Sequence, residues 1–451
     1  MNKFDDLRKK YPNFIYDSYT LEVMDNELII TYKFIVENLE TFEPVIKIPL
    51  NNLSINLNDS FLKKIVFNLG IVEVVSYLKC TCSKNVIIRA GFLNEEQINF
   101  FKKLYYNGLG EFLYLNKIDI TIDELFDITC EVKEEDGIIP SYEGKGNLIA
   151  IGGGKDSCVS LELLKDEHAN NTCFIINPKK VTLDCAKAAN YNENSIIGIT
   201  RILDKKIISM NEKGFLNGHT PFSAIVAFSS YLTAYIYNKE NIVLSNENSA
   251  NEATVIGAAI NHQYSKSIEF ENDFRDYVNK FLSNKINYFS LLRPLTEFQI
   301  GMIFSKYKKY HQIFKSCNPG SKKEPWCWCN KCAKCLFVYT ILSPFLHKDE
   351  LVKIFGADLF EDKELLDTFI ELLGYRETKP FDCVGSFEEV RYAVSLLING
   401  LDGKLPYLLQ YYKDNYKLEL DVDYKTLYED NNNVPNDYQE KIRKELVRCA
   451  K

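Results

Sequence analysis

The chain has no excess of positive charge: 54 Lys and Arg stand against 62 Asp and Glu, for a net charge of −8. That excludes a protein devoted to coating nucleic acid, although a local basic cleft stays compatible with it. The first residues, Met1-Asn2-Lys3-Phe4-Asp5-Asp6, are polar and contain no apolar core segment, so no secretory leader is expected. The most apolar long stretch, Pro221 to Tyr237, includes Ser223, Ser229, Ser230 and Thr233. It falls short of the roughly 20 apolar residues of a membrane span and is expected to be a buried helix. These absences predict a cytoplasmic chain with neither nucleic acid nor membrane as its partner. Internal repeats are absent, and the one low-complexity patch is Asn431-Asn432-Asn433. The 451 residues exceed one ordinary core, which predicts two or three domains. Thirteen cysteines without a secretion signal point to thiols and metal rather than disulfides.

What the chain does contain is Ile149-Ala150-Ile151-Gly152-Gly153-Gly154-Lys155-Asp156-Ser157, an apolar strand running through a glycine turn into a helix. Glycines let backbone N–H groups approach a ligand with no Cβ in the way. The helix start adds free donors and the positive end of its dipole, so the turn suits phosphate. A Walker loop is excluded, because Asp156 stands where that motif needs Ser or Thr. A dinucleotide fingerprint is excluded too, since Ser157 takes the place of its third glycine. The run resembles the pyrophosphate loop, Ser-Gly-Gly-x-Asp-Ser, of enzymes that split ATP into AMP and pyrophosphate. Gly152 replaces the usual first Ser. The bland alternative is a plain strand-to-helix turn with Asp156 as the helix cap.

Pattern divides the chain into three segments, 1–140, 141–346 and 347–451. From Phe14 to Leu50 apolar and polar residues alternate, as in antiparallel strands, and Phe61–Leu78 and Asn94–Tyr106 look helical around a strand at Asn85–Ala90. This predicts an α+β N-terminal unit that binds substrate. The acidic run Glu131 to Pro140 reads as a linker. Strand-like runs at Asn147–Ile151, Thr172–Ile176, Ile196–Ile199 and Asn241–Leu244 then alternate with helices starting near Ser157, Val181 and Pro221. Such alternation predicts an α/β fold with a parallel, doubly wound nucleotide-binding sheet and ligands at its carboxyl ends. The glycine loop lies at one such end and Ser245-Asn246-Glu247 at another. Beyond Leu346 a mostly helical region is expected.

A second constellation is Cys317 followed by Cys329, Cys332 and Cys335. Cys-x-x-Cys-x-x-Cys gathers three thiolates on one turn, and a fourth completes a tetrahedron around a structural Zn²⁺ with no open position for catalysis. Cys327 is an alternative fourth ligand, and an iron–sulfur cluster is the rival occupant. Lys331, Lys334 and the local backbone N–H groups are expected to offset the thiolate charge, and the metal to pin the edge of the nucleotide domain where apolar side chains are few.

Loop and cysteine knot together narrow the resemblance to two families. One is the 7-cyano-7-deazaguanine synthase family, whose loop lies near the start of a chain about half as long. The chain is more similar to the UDP-N-acetylmuramoyl-L-alanyl-L-glutamate epimerase family. Shared blocks are Asn217-Gly218-His219-Thr220-Pro221, Leu244 to Ala250, Asn261-His262-Gln263-Tyr264-Ser265-Lys266-Ser267, Tyr288 to Leu295, Trp328 to Cys335 and Lys379 to Gly385. That resemblance implies ATP-dependent inversion of the terminal glutamate of a nucleotide-linked peptide, with ATP, Mg²⁺ and structural zinc as cofactors. The alternatives carried beside it are another adenylating ligase, amidotransferase or tRNA-modifying enzyme, and a non-catalytic ATP-binding scaffold.

Roles follow from residue chemistry. Gly152, Gly153, Gly154, Asp156 and Ser157 are expected to hold ATP phosphates or their metal, with Lys155 supplying charge to the triphosphate. Asn246 and Glu247 are candidates for the metal or for the ribose and α-phosphate. Lys266 and Arg293 are candidates for substrate carboxylates, each with a surface ion pair as its alternative. Gln263, Tyr264 and Ser265 join them in the polar block, and His219 is read as a nucleotide or substrate contact or as the start of a helix. For proton transfer the candidates are His262, a base suited to neutral pH, and Cys383, a thiol outside the knot.

Overall fold

The structure, a computed structural model, describes residues 3–133, 142–251, 261, 263–283, 285–376, 380 and 382–450. Among the described residues, eleven strands make one mixed sheet: β1 (Asn13–Met24), β2 (Glu27–Val36), β3 (Glu40–Phe42), β4 (Val45–Pro49), β5 (Asn85–Ile88), β6 (Asp127–Cys130), β7 (Asn147–Ala150), β8 (Thr172–Ile176), β9 (Ile196–Ile202), β10 (Asn241–Leu244) and β11 (Asn287–Ser290). Their order is β11-β10-β7-β8-β9-β4-β2-β1-β5-β6, with β3 on β2. The linker residues 134–140 lie outside the described residues.

The N-terminal part follows its alternation. In β2, Leu28, Ile30, Tyr32, Phe34 and Val36 are buried while the residues between them are half-buried. This face is covered by the helix Ser60–Leu78, which the Asp59 carboxylate caps by accepting from the Phe61 N–H at 3.0 Å. Its residues are buried nearly all round, because the helix Phe222–Ile236 packs on its other side. Gly70 permits the close approach: a Cβ there would lie 2.1 Å from the Tyr16 hydroxyl.

The second part is parallel. Neighbours β9, β8, β7, β10 and β11 all run the same way. The chain leaves β7 for β8 and β9 on one side, then returns for β10 and β11 on the other. Helices Lys155–Leu163 and Lys180–Ala188 pack into one core, and Phe222–Ile236 and Ile268–Phe281 into the other, so both faces are covered. Double coverage explains why β7, β8 and β10 are mostly apolar runs without alternation, whereas β9, next to the antiparallel β4, alternates. The strand order reverses between β7 and β10, where an open α/β sheet forms its ligand crevice. Antiparallel pairing of β4 with β9, Val45 opposite Ile202, fuses the two parts into a single sheet.

Among the described residues after 347 the α-helices are Lys348–Phe355, Leu366–Leu372, Phe387–Gly400, Tyr407–Asn415 and Asn436–Ala450, on the core of the glycine-loop helix. The last of these docks on a buried amide ladder at the amino ends of the strands. Asn147 donates to Asn171 at 2.8 Å and accepts from Asn241 at 3.1 Å and from the Tyr438 hydroxyl at 3.0 Å. Asn147→Leu leaves buried amide groups of Asn171 and Asn241 short of partners. A loss of about 1–3 kcal/mol is expected, read as a lower urea midpoint.

Candidate active site

The glycine loop joins β7 to the helix Lys155–Leu163 at the reversal point. Gly153 takes the left-handed φ of +82°, and a Cβ there would sit 3.0 Å from Val181, so glycine is required. Gly152 differs: a Cβ there would meet no atom within 4 Å, and the open space belongs to the adjoining cavity. Gly154 occupies the cap position with no side-chain capping bond, and its carbonyl accepts from the Ser157 hydroxyl at 3.1 Å. Asp156 is therefore not the helix cap.

A cavity of about 580 Å³ opens over the loop. Phe174, Ile176, Val226 and Leu244 give it an apolar side, and Asp156, Asn246, Glu247, Lys179, Lys266 and Lys334 a charged one. A wider depression of about 730 Å³ lies over the N-terminal strands among Asp17, Tyr19, Lys63 and Arg89. Two of its charged side chains are paired with neighbours outside it, Asp17 with Lys33 at 3.3 Å and Arg89 with Glu131 at 2.8 Å. The smaller cavity is the candidate site, because glycine loop, switch point and converging polar groups coincide there.

Lys155 does not line this cavity. Its buried ammonium is clamped between the carboxylates of Asp156 and Glu297. The cations facing the cavity are Lys179, Lys266 and Lys334. Two acids share the Lys155 charge unequally. The Asp156 side chain is a quarter exposed; burial pushes its carboxyl up, but Lys155 and Lys334 outweigh this and hold it below its ordinary value. Glu297 is 1% exposed, and burial, helped by Asp156 and Glu247, pushes it up to about 7 against the pull of Lys155 and Lys334. The folded chain thus binds the Glu297 proton more tightly than the unfolded chain. Its contribution to stability declines as pH rises from 4.5 to about 7, then levels off. Glu297→Gln is expected to flatten that part of the stability–pH curve, measured by urea unfolding at pH 5, 6, 7 and 8.

On the opposite wall the Lys266 ammonium lies 2.9 Å from the Cys383 sulfur. Burial alone would lower this ammonium; Cys383, Glu247 and Asp156 outweigh burial and hold it well above its ordinary value. Arg293 is completely buried behind the site. Its guanidinium donates to the Glu247 carbonyl at 2.7 Å and the Lys266 carbonyl at 2.5 Å, and faces Glu271 at 3.2 Å. Asn246 donates to Ser290 at 3.0 Å. Lys334 donates to the Cys383 carbonyl and stands 4.0 Å from Glu297.

The structure thus brings Gly152, Gly154, Asp156, Ser157, Asn246, Glu247, Lys266 and Cys383 onto one cavity. Gln263, Tyr264 and Ser265 are buried just before Lys266 and are not on its wall; Tyr264 faces Asp273 at 3.4 Å. His219 is also off the wall, 3.4 Å from Glu111. His262 lies outside the described residues. Sequence reasoning missed Glu297, Lys179 and the role of Lys334. Glu297 follows Thr296, whose capping box with Gln299 marks it only as a first-turn acid.

Beside the cavity, Cys317, Cys329, Cys332 and Cys335 bring their sulfurs within 4.8 Å of one another. The closest pairs stand at 3.5 Å (Cys332 and Cys335) and 3.8 Å (Cys317 with Cys332, Cys329 with Cys335). A tetrahedron with metal–sulfur bonds of about 2.3 Å has edges of about 3.8 Å, so the four thiols fit one ion. Cys327 is not in this group; its carbonyl fills the space where a Cβ on Gly320 would stand. The expectation for the two lysines needs correction. Lys331 pairs with Asp362 and Glu364, at 2.8 and 2.6 Å, and Lys334 points to the cavity, while the backbone N–H groups of Gly320 and Cys329 face the Cys317 sulfur as expected. In the loop of the knot, residues 318–332, Gly320 and Trp328 are buried and the rest are half-buried or exposed; the loop leads into the helix Ala333–Leu342, every residue of which is buried.

Fold and site define an α/β protein with a charged cavity at the switch point of a doubly wound sheet and a four-thiol knot beside it. The family model described as MurL N-terminal domain matches residues 5–291, and that described as MurL C-terminal domain matches residues 313–423. Curated relatives named UDP-N-acetyl-alpha-D-muramoyl-L-alanyl-L-glutamate epimerase come from Xanthomonas oryzae pv. oryzae, Micromonospora sp. and Salinispora tropica. The first is 32% identical over 74% of this chain and 75% of its own. The second is 31% identical over 85% and 86%, and the third 31% over 85% and 84%. The chain belongs to the MurL epimerase family. No solved structure matches it. Among the described residues, no helix is long and apolar enough to cross a membrane.

Proposed function

We propose that this chain is an ATP-dependent epimerase that inverts the terminal glutamate of UDP-N-acetylmuramoyl-L-alanyl-L-glutamate through an acyl-adenylate. The observation that carries it is the Lys266–Cys383 pair facing the same cavity as the glycine loop. A nucleotide site and a proton-transfer thiol in one cavity are what such a reaction needs.

The α-proton beside a free carboxylate is very weakly acidic, because the carbanion would stand next to a negative charge. Attack of that carboxylate on the α-phosphorus of ATP forms a carboxyl–phosphate bond and expels pyrophosphate. The acyl group is then ester-like, and the electron pair left by proton removal delocalises into an enolate. Cys383 takes the Cα proton on its face. Return of a proton on the other face inverts the centre, and His262 is the residue the sequence offers for it. Water then attacks the acyl carbon and releases AMP.

The loop residues Gly152 to Gly154, Ser157 and the helix start bind the phosphates, with Lys179 and Lys334 as the cavity cations. Phe174, Ile176 and Leu244 supply apolar surface for the base. Asp156 and Glu247 would hold Mg²⁺, which supplies charge neutralisation to the leaving pyrophosphate. Cys317, Cys329, Cys332 and Cys335 would hold structural zinc. Lys155 orients Asp156 rather than touching phosphate, and Arg293 braces Glu247 and Lys266. In this reading the fold is of the pyrophosphate-loop type and the segment 1–140 holds the bulky nucleotide-sugar part of the substrate.

The reading is tested by incubating the protein with ATP, Mg²⁺ and the UDP-linked dipeptide, then resolving AMP and the glutamate enantiomers. AMP with D-glutamate in equal amounts is expected. D-glutamate without ATP consumption would overturn the adenylate, and AMP with L-glutamate alone would indicate a hydrolase or ligase.

A further inference from the structure

Lys266 was assigned from sequence chemistry to a substrate carboxylate, yet its surroundings suit another task. We propose that Lys266 is a positioning residue that keeps Cys383 as a thiolate, acting on the substrate through that sulfur; this rests on the epimerase reading above.

The supporting geometry comes from three sides. The ammonium already donates to the Cys383 sulfur at 2.9 Å, and both groups line the cavity. A positive charge at that range is the neighbour that favours thiolate over thiol. Lys266 is also held in place by its own backbone. Its N–H donates to the Gln263 carbonyl at 2.7 Å, and its carbonyl accepts from the buried Arg293. The same guanidinium fixes the Glu247 carbonyl, so one brace sets both walls of the cavity. The loop bearing the thiol is held in turn. Lys334 donates to the Cys383 carbonyl, and Asp382 accepts from Asn318 of the cysteine knot at 2.7 Å.

Other charges around the pair favour the same arrangement. Glu247 and Asp156 act on Lys266 from the phosphate side and keep it protonated, while Glu297 is turned to Lys155 and Lys334. Sulfur and ammonium in direct hydrogen-bond contact cannot stand on opposite faces of one Cα. The pair is therefore one proton carrier on one face, not the two opposed bases of an inversion.

The test is iodoacetamide alkylation of Cys383 across pH 5 to 10, read by mass spectrometry of its own peptide in the full-length protein. The measurement requires no turnover, so its failure is distinct from failure of the epimerase reading. In the unsubstituted protein half-maximal reactivity is expected below the ordinary thiol value of about 8.5. Lys266→Met should raise that midpoint by about one unit or more, roughly tenfold less thiolate at pH 7, and Lys266→Arg should restore it. Circular dichroism melts confirm that each variant is folded, and Lys266→Gln replaces the Met variant if that one is not. An unchanged midpoint in the neutral variants, with KM for the dipeptide raised and kcat kept, would overturn the proposal and return Lys266 to a substrate carboxylate.

Discussion

Cys383→Ala is expected to abolish inversion while ATP is still split. General acid–base groups contribute about 10²- to 10⁴-fold, and loss of the thiol should lower α-proton exchange by about 10³. The glycine loop, Asp156 and Glu247 stay intact in this variant, so the adenylate still forms and AMP still appears as water attacks the acyl carbon. Deuterium should no longer enter the glutamate α-carbon from D₂O. The split between the two products is what distinguishes a proton-transfer role from a structural one. A Cys383→Ala protein that inverts glutamate at the original rate would remove the thiol from the reaction. One that neither inverts nor makes AMP would make Cys383 a support of the nucleotide site.

Cys332→Ser is expected to cost more stability than any other single change discussed. Cys332 caps the buried helix Ala333–Leu342, which also carries Cys335 and Lys334. Its sulfur has neighbours at 3.5 and 3.8 Å. Metal bound by the folded state alone adds its binding energy to folding, about 10–16 kcal/mol for small four-ligand zinc sites. Losing one ligand of four should remove several kcal/mol of that order and lower the melting temperature markedly. The effect reaches the cavity, since Ser316, Asn318 and Trp326 of the knot line it and Lys334 grips the Cys383 carbonyl. Metal analysis is expected to give one zinc per chain in the unsubstituted protein and less in the variant. Iron with acid-labile sulfide would mean a cluster instead, and a stable, active chain without metal would contradict a structural role.

Much of this architecture is legible in short stretches of chain. The runs Thr172–Ile176 and Asn241–Leu244 are strands over those same residues, because a parallel strand covered on both faces must be apolar throughout. The helix Ser60–Leu78 begins one residue before its sequence pattern does, at the residue after its Asp59 cap. The glycine loop is local chemistry and falls where its strand and helix put it. Contacts between distant segments are another matter. Nothing in Val45–Pro49 or Ile196–Ile202 announces that they pair, since both patterns would suit any neighbour. Lys155 reads as a phosphate cation until Glu297, 142 residues later, is found against it. Arg293 looks like a carboxylate fork, but its two terminal nitrogens are turned to two backbone carbonyls and Glu271. Lys334 sits between two metal-type cysteines in sequence, yet the turn of its helix directs it to Cys383 and Glu297.

The most direct measurement is a single turnover in D₂O with the protein in excess over UDP-N-acetylmuramoyl-L-alanyl-L-glutamate, plus ATP and Mg²⁺. Mass spectrometry follows deuterium at the glutamate α-carbon, and chromatography follows AMP and the enantiomers. The account predicts one deuterium in each D-glutamate formed, one AMP per turnover, and no exchange when ATP is omitted. Deuterium entering without ATP, or D-glutamate formed without deuterium, would contradict adenylation-assisted proton transfer.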